Sequence, residues 1–248
     1  MIALIDADSI LYLSLPKKAN PDQTYEECCD EIRSRVEEMI TTVNADEYCL
    51  FLTDGKCFRY KDKKSSKEYK LSRKKYRMPP IFYAMKEYMK QNFNTYVCKD
   101  LEADDLVSIL KTELDEDTVI CSPDKDVLYQ NAGTHYNYRT REFITTTKEE
   151  ANKFLFLQLG MGDPGDGIAG IEGVGEKTVL KWFEEIKDGK YHEIILDKYI
   201  DKYGIHEGIN RYFETFTMVY ILSNWDDVMR ELNYIPEGIE FHSYKKEL

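Results

Sequence analysis

With 248 residues, 42% of them hydrophobic, the chain can bury one full core and carry an appended subdomain. Charged residues make up 32% and the net charge is −12; no run approaches the ~18–20 apolar residues of a bilayer span, and the stretch Ile2 to Leu15, broken by Asp6 and Asp8 and without a basic leader, speaks against a signal peptide. Six cysteines without a C-x-x-C pair and four scattered histidines speak against structural zinc, and read as reduced core residues of a cytoplasmic protein.

In chain order, Ile2–Ile5 is expected to be a short buried strand ending at Asp6. Residues 25–43 carry apolar positions at Cys28/Cys29, Ile32, Val36, Met39/Ile40 and Val43, the period of an amphipathic helix. A second strand, Tyr48–Thr53, ends at Asp54. From Lys56 to Arg77 stand 11 Lys/Arg and two acids, a local charge of +9 that leaves −21 for the rest. An acidic body with one basic segment fits a protein that holds metals in one place and phosphates beside them. A helix from Pro80 to about Asn92 follows, with proline suited to its first turn, and then a strand at Thr95–Cys98. Leu101–Leu114 reads as a helix, Val119–Cys121 as a fourth strand leading to Asp124 and Asp126, and His135–Tyr138 as a weaker one. Thr147 and Glu150 form a capping box that opens a helix to about Leu159. After a glycine-rich turn over 160–175, another helix starts near Glu176, and the last third is helical, with Tyr212–Ser223 its longest expected element.

Alternating strands and helices imply a mostly parallel sheet, in which ligands gather beyond the carboxyl ends of the strands. Asp6, Asp54 and the Asp124/Asp126 pair all stand at that end. Glu102, Asp104 and Asp105 open a helix, and Asp163 and Asp166 sit in the glycine-rich turn. A helix cap explains Asp104 or Asp105 alone, but not three acids beside four more on strand tips. Crowded carboxylates repel unless protonated or neutralised, and hard divalent cations are the natural partners of such oxygens. Two of them form the usual clamp for phosphodiester hydrolysis. Asp124-Lys-Asp126, taken as extended, places its two carboxylates on one side.

Gly173-Val-Gly175-Glu-Lys177-Thr178 runs into an apolar helix, and close-approach glycines before a helix N-terminus make a phosphate cradle to which Lys177 adds charge. The segment is neither a Walker A loop nor a dinucleotide fingerprint. Within the basic segment, Lys70 and Arg73 share a helical face suited to successive phosphates, and Tyr69 offers a stacking surface to a base.

In this order the motifs resemble the 5′-nuclease family: flap endonucleases, phage 5′-exonucleases and the 5′-nuclease domain of bacterial DNA polymerase I. The likeness spans residues 2–185 and closes on Gly162-Asp163-x-x-Asp166-Gly-Ile-x-Gly-Ile-x-Gly173-Val-Gly175-x-Lys177-Thr178. It implies an α/β fold with a PIN-like core over 1–146, a helical arch built from the basic segment at about 56–92, and a helix-three-turn-helix subdomain within a helical region over 147–248. It implies two Mg²⁺ or Mn²⁺ ions. Asp6, Asp54, Glu102, Asp104, Asp105, Asp124 and Asp126 would surround the first, and Asp163 and Asp166 would complete the second with Asp124 or Asp126 shared. Lys70 would position the scissile phosphate with Arg73 assisting, and the turn motif would hold a potassium ion. The implied partner is DNA, at 5′ flaps, 5′ ends and junctions, with RNA-primed duplex a further substrate. The implied setting is a monomer acting in replication or repair in a bacterial or phage-infected cytosol. Where the family has glycine two residues after the first aspartate, this chain has Asp8, placed outside the metal site or behind it.

Three alternatives stand beside this reading. Ile5-Asp6-Ala-Asp8-Ser9 resembles the nucleophile motif of haloacid-dehalogenase phosphatases, which would pass through a phosphoryl-aspartate at Asp6. A non-catalytic DNA-structure binder would use the glycine-rich turn alone, and a ribonuclease of the related small nuclease fold would need neither that turn nor the arch.

Overall fold

The computed structural model describes residues 1–18, 20–60, 69–70, 77–114, 117–186 and 189–233. Much of the basic segment, Arg73 included, lies outside them. The chain opens with β1 (Ile2–Asp6) and two helices, α1 (Asp8–Leu13) and α2 (Tyr25–Val43). It continues through β2 (Glu47–Asp54), α3 (Pro80–Asn92), β3 (Thr95–Lys99), α4 (Ala103–Glu113), β4 (Thr118–Cys121) and α5 (Lys125–Gln130). A hairpin of β5 (Gly133–Asn137) and β6 (Glu142–Thr146) completes the sheet, in the order β3-β2-β1-β4-β5-β6. All pairings are parallel except β5 with β6.

Side chains on a strand alternate between faces, and the two faces of this sheet bury different partners. Ala3 and Ile5 pack on one side with Ile32, Val36 and Met39 of α2 and Met85 and Met89 of α3. Leu4 packs on the other with Leu106, Val107 and Leu110 of α4. The caps follow the sequence. In α2, Thr24 accepts from the Glu27 amide and Glu27 from the Thr24 amide, and Asn44 ends the helix in the left-handed region.

The remaining helices are α6 (Lys148–Met161), α7 (Glu176–Glu184), α8 (Tyr191–Tyr203), α9 (Ile205–Val219) and α10 (Trp225–Leu232), with a two-stranded β7 (Gly162–Asp163) and β8 (Ile168–Ala169) between α6 and α7. Helices α6 to α9 share a cluster of their own around Leu159, Val179, Ile195 and Tyr199. The turn after α6 needs its glycines. Gly162 has φ +75°, and a Cβ there would stand 2.3 Å from the Gly170 nitrogen.

Two sequence expectations need correction, and one strand went unread. Residues 142–146 form an antiparallel edge strand that the polar, threonine-rich stretch did not announce. Asp124-Lys-Asp126 is not extended: Asp124 is the N-cap of α5 and accepts from the Asp126 amide at 2.9 Å. The helix expected to begin at Tyr212 begins at Ile205, after Gly204 at φ +81°.

Candidate active site

The carboxyl end of the sheet collects the acids as parallel topology dictates. Glu102, Asp104, Asp124, Asp126, Asp163 and Asp166 line one pocket of about 40 Å³, with Lys70, Arg59 and Gln158 in its wall. That volume suits ions and waters rather than an organic ligand. Asp6 sits behind it, 3% exposed, accepting from Ser122 Oγ at 2.9 Å and from the Asp8 amide at 3.3 Å, while its carbonyl accepts from the Tyr138 hydroxyl at 2.8 Å.

Burial and mutual repulsion dominate the electrostatics. Burial first, then Asp8 and Asp124, push the Asp6 carboxyl up to about 7. Burial and the neighbouring Asp124 bring Asp126 to about 7 as well. Asp104 rises well above the carboxylate range through burial and its neighbours Asp6 and Asp124, and Asp8 rises through burial against two bonds from Thr53. Asp126 Oδ1 is buried without a hydrogen-bond partner.

Glu102 is the exception. Burial would raise it too, but the charges of Lys70 and Arg59 outweigh that and hold it at about 2. Lys70 Nζ donates to Glu102 Oε1 and lies 3.6 Å from Asp166 Oδ2. The Tyr69 hydroxyl donates to Glu102 Oε2 at 2.7 Å, and Arg59 Nη1 reaches the same oxygen at 3.1 Å. Main-chain contact fixes the lysine as well: its amide donates to the Asp166 carbonyl at 2.8 Å, with Lys70 itself at φ +48°.

Three expected site residues are placed otherwise. Asp105 is fully buried, its two oxygens are gripped by the Arg59 guanidinium at 2.8 Å each, and they also accept from the Glu102 and Leu222 amides. It holds α4 in place and is not exposed to the pocket. Asp54, the last residue of β2, is not among the side chains that line the pocket. The Asp54 side chain is 59% exposed and faces Lys86 at 3.3 Å. Tyr69 is buried, its ring covered by Tyr60 and by the Lys70 ammonium, which leaves no face for a base.

Gly173, Gly175, Lys177 and Thr178 come together at the exposed start of α7, with Gly175 its N-cap. Gly173 needs its φ of +78°, whereas a Cβ at Gly175 would meet nothing within 4 Å at an ordinary φ of −120°. The fold therefore gives no reason for glycine at 175.

Sequence reasoning missed Arg59 and Gln158. Each has a signal in retrospect: Arg59 stands among Cys57, Phe58 and Tyr60, and Gln158 is the lone polar residue in the run Phe154 to Leu159.

No three His, Cys, Asp or Glu side chains among the described residues form a ready-made metal group. The donor set nonetheless fits hard divalent cations, on two grounds: all-oxygen anionic ligands, and a buried Asp126 oxygen that accepts no hydrogen bond and has Lys125 Nζ only at 4.0 Å.

No family model and no curated protein matches the chain in sequence. Solved structures do match. The T5 D15 protein co-crystallised with metal ions superposes with a TM-score of 0.70 at 19% identity, covering 93% of each chain. The bacteriophage T5 D15 flap endonuclease, in a pseudo-enzyme-product complex with DNA and metal ions, gives 0.56 at 17% identity over 94% of this chain and 99% of that one. The catalytic core of Rad2 with DNA substrate gives 0.52 at 14% identity, over 99% and 89%. Over nearly its whole length, then, this chain has the fold of the T5 5′-exonuclease and flap endonuclease, with the mostly parallel α/β core that its motifs imply.

Proposed function

We propose that the chain is a divalent-metal-dependent 5′-nuclease of the flap endonuclease and phage 5′-exonuclease family, hydrolysing DNA phosphodiesters near 5′ ends and single-strand/duplex junctions. The observation that carries this reading is the convergence of six carboxylates from three separate segments on one small pocket that also contains a lysine ammonium. A structural role for so many mutually repelling acids is costly, since neighbouring charges add to burial in raising Asp104 and Asp126.

Glu102, Asp104, Asp124 and Asp126 would hold one Mg²⁺ or Mn²⁺, with Asp6 behind them, and Asp163 and Asp166 a second, sharing Asp124 or Asp126. When bound, such ions polarise a phosphate and make a water acidic enough to attack at neutral pH. The chain's own contribution is positioning. Lys70 is tied to Glu102 and Asp166 by side chain and main chain, so its ammonium offers a fixed charge to a non-bridging phosphate oxygen. Arg59 holds Glu102 ionised and in place. The α7 start, with Gly175 bare and Lys177 exposed, would grip the duplex backbone away from the cut as part of a helix-three-turn-helix, with potassium in its turn. Action on RNA-primed duplex, a monomeric state and a place in replication or repair belong to the same reading.

A phosphatase using Asp6 as nucleophile is disfavoured by its burial under Ser122 and Tyr138. A 5′-labelled flap and a blunt duplex, incubated with Mg²⁺ or with EDTA, test the proposal. Metal-dependent release of short 5′ products is expected; cutting in EDTA or from the 3′ end overturns it. Asp124→Asn should abolish cleavage while DNA binding survives, whereas a pure binder has no cleavage to lose.

A further inference from the structure

A second cavity, of about 210 Å³, lies between α2 and the β5–β6 hairpin, lined by Arg35, Met39, Tyr136, Tyr138, Arg139 and Arg141. Three arginines around one hollow are unexpected in a chain whose charge outside the basic segment is −21. Only part of that charge is compensated. Arg141 pairs with Glu38 at 2.9 Å, the one acid in the lining. Arg35 pairs through Nη2 with Glu31, yet its Nε is buried without a hydrogen-bond partner. The Arg139 guanidinium makes no hydrogen bond or ion pair among the described residues. Arg139 is exposed, and its guanidinium is the least engaged of the three around a hollow large enough for an organic anion.

The hairpin is built to hold these groups there. Asn137 Oδ1 accepts from the Arg139 amide at 3.0 Å and the Thr140 amide at 3.2 Å, and the Arg141 amide closes on the Asn137 carbonyl at 2.7 Å. Arg141 takes φ +62°, a conformation that favours glycine or asparagine. The cavity also shares a wall with the acidic pocket's foundation: Tyr138 lines it and hydrogen-bonds the carbonyl of Asp6. It thus sits at the same carboxyl edge of the sheet, on the α2 flank.

We propose that this cavity binds a phosphate group, taken in the planar fork of Arg139 with the Arg35 guanidinium lining the hollow beside it, and that the phosphate belongs to the nucleic-acid strand engaged at the neighbouring acidic pocket. Guanidinium edges match phosphate geometry in pairs, and the tyrosines and Met39 beside them accommodate the attached sugar or base. The source of the phosphate rests on the nuclease reading; the anion chemistry does not.

The test is binding in EDTA, where no cleavage intrudes. Anisotropy of a fluorescent flap duplex and single strand is compared for the wild type, Arg139→Gln and Arg35→Gln, with Arg33→Gln as a charge-matched change elsewhere on α2. The Arg139 and Arg35 variants should weaken strand binding about tenfold and reduce the log–log salt slope by about 1, with Arg33→Gln unchanged. Calorimetry with a deoxynucleoside monophosphate identifies the source. If Arg139→Gln abolishes mononucleotide binding but spares the strand, the phosphate site stands and its occupant is a free nucleotide. If the wild type binds no strand yet binds the mononucleotide through Arg139, the nuclease reading fails and the site survives. If neither probe responds to Arg139→Gln or Arg35→Gln any more than to Arg33→Gln, the site does not exist.

Discussion

Lys70 and Arg59 come from one basic segment and do different work. Read as sequence, both belong to a run of positive charge suited to phosphates. In the fold Arg59 is 3% exposed and spends its guanidinium on Asp105, Glu102 and the Tyr220 carbonyl. Removing it would leave Asp105 buried without a counter-charge, so Arg59→Ala should cost about 3–5 kcal/mol in urea unfolding, while Arg59→Met with Asp105→Leu should recover much of that. An Arg59→Ala protein as stable as wild type would show the pair to be dispensable. Lys70 faces the pocket, and Lys70→Ala should lower kcat on the order of 10²-fold while DNA affinity in EDTA barely changes. Equal losses in both would make it a simple phosphate anchor. The sequence made the acids legible because carboxylates at the tips of apolar runs are conspicuous. It could not say that Asp105 serves as internal glue or that Asp54 meets Lys86 instead of lining the pocket, since one depends on a partner 46 positions away and the other on a partner 32 away.

At the scale of elements, periodicity and capping chemistry located α2, α4, α6 and the four leading strands, because each carries its own apolar rhythm and stop signals. The elements that escaped were those whose stability comes from elsewhere. β6 is a half-exposed edge strand held by β5, and α5 is a six-residue helix that begins on the Asp124 carboxylate. The glycine-rich turn separates structural from functional glycine. Gly162→Ala forces a Cβ onto the Gly170 backbone at a positive φ and should lower Tm by several degrees or prevent folding. Gly175→Ala meets open space, so Tm should hold while affinity for duplex DNA falls several-fold. A Tm loss at 175 equal to that at 162 would remove the argument that the backbone there is kept bare for a ligand.

Across the whole molecule, the acidic pocket sets how stability follows pH. Asp6 and Asp126, raised by burial to about 7, bind protons in the folded state that the unfolded chain has released above pH ~4. Their stabilising contribution is complete below that and lost as pH rises through about 7. Glu102, held at about 2, acts in the opposite sense only below its ordinary value of 4.5. His135, pushed by burial to about 4, gains stability with pH up to 6.5 and no further. Protein in EDTA should therefore lose Tm between about pH 4 and 7, most steeply near 7 where His135 no longer offsets the loss, and level off above that, and Mg²⁺ should raise Tm more at pH 8 than at pH 5; a flat profile with no cation effect would contradict the crowded-acid picture. Finally, the Arg59 side chain and the Asp105 carboxylate are both hydrogen-bonded to the backbone at Tyr220 and Leu222, far along the chain. A polypeptide emerging from the ribosome therefore exposes the acids of the pocket long before residues 220 and 222 can lock Arg59 and Asp105 in place. On the nuclease reading, competence to cut would arrive only once residues 220–222 have left the ribosome, so shorter nascent chains should be harmless to nearby DNA.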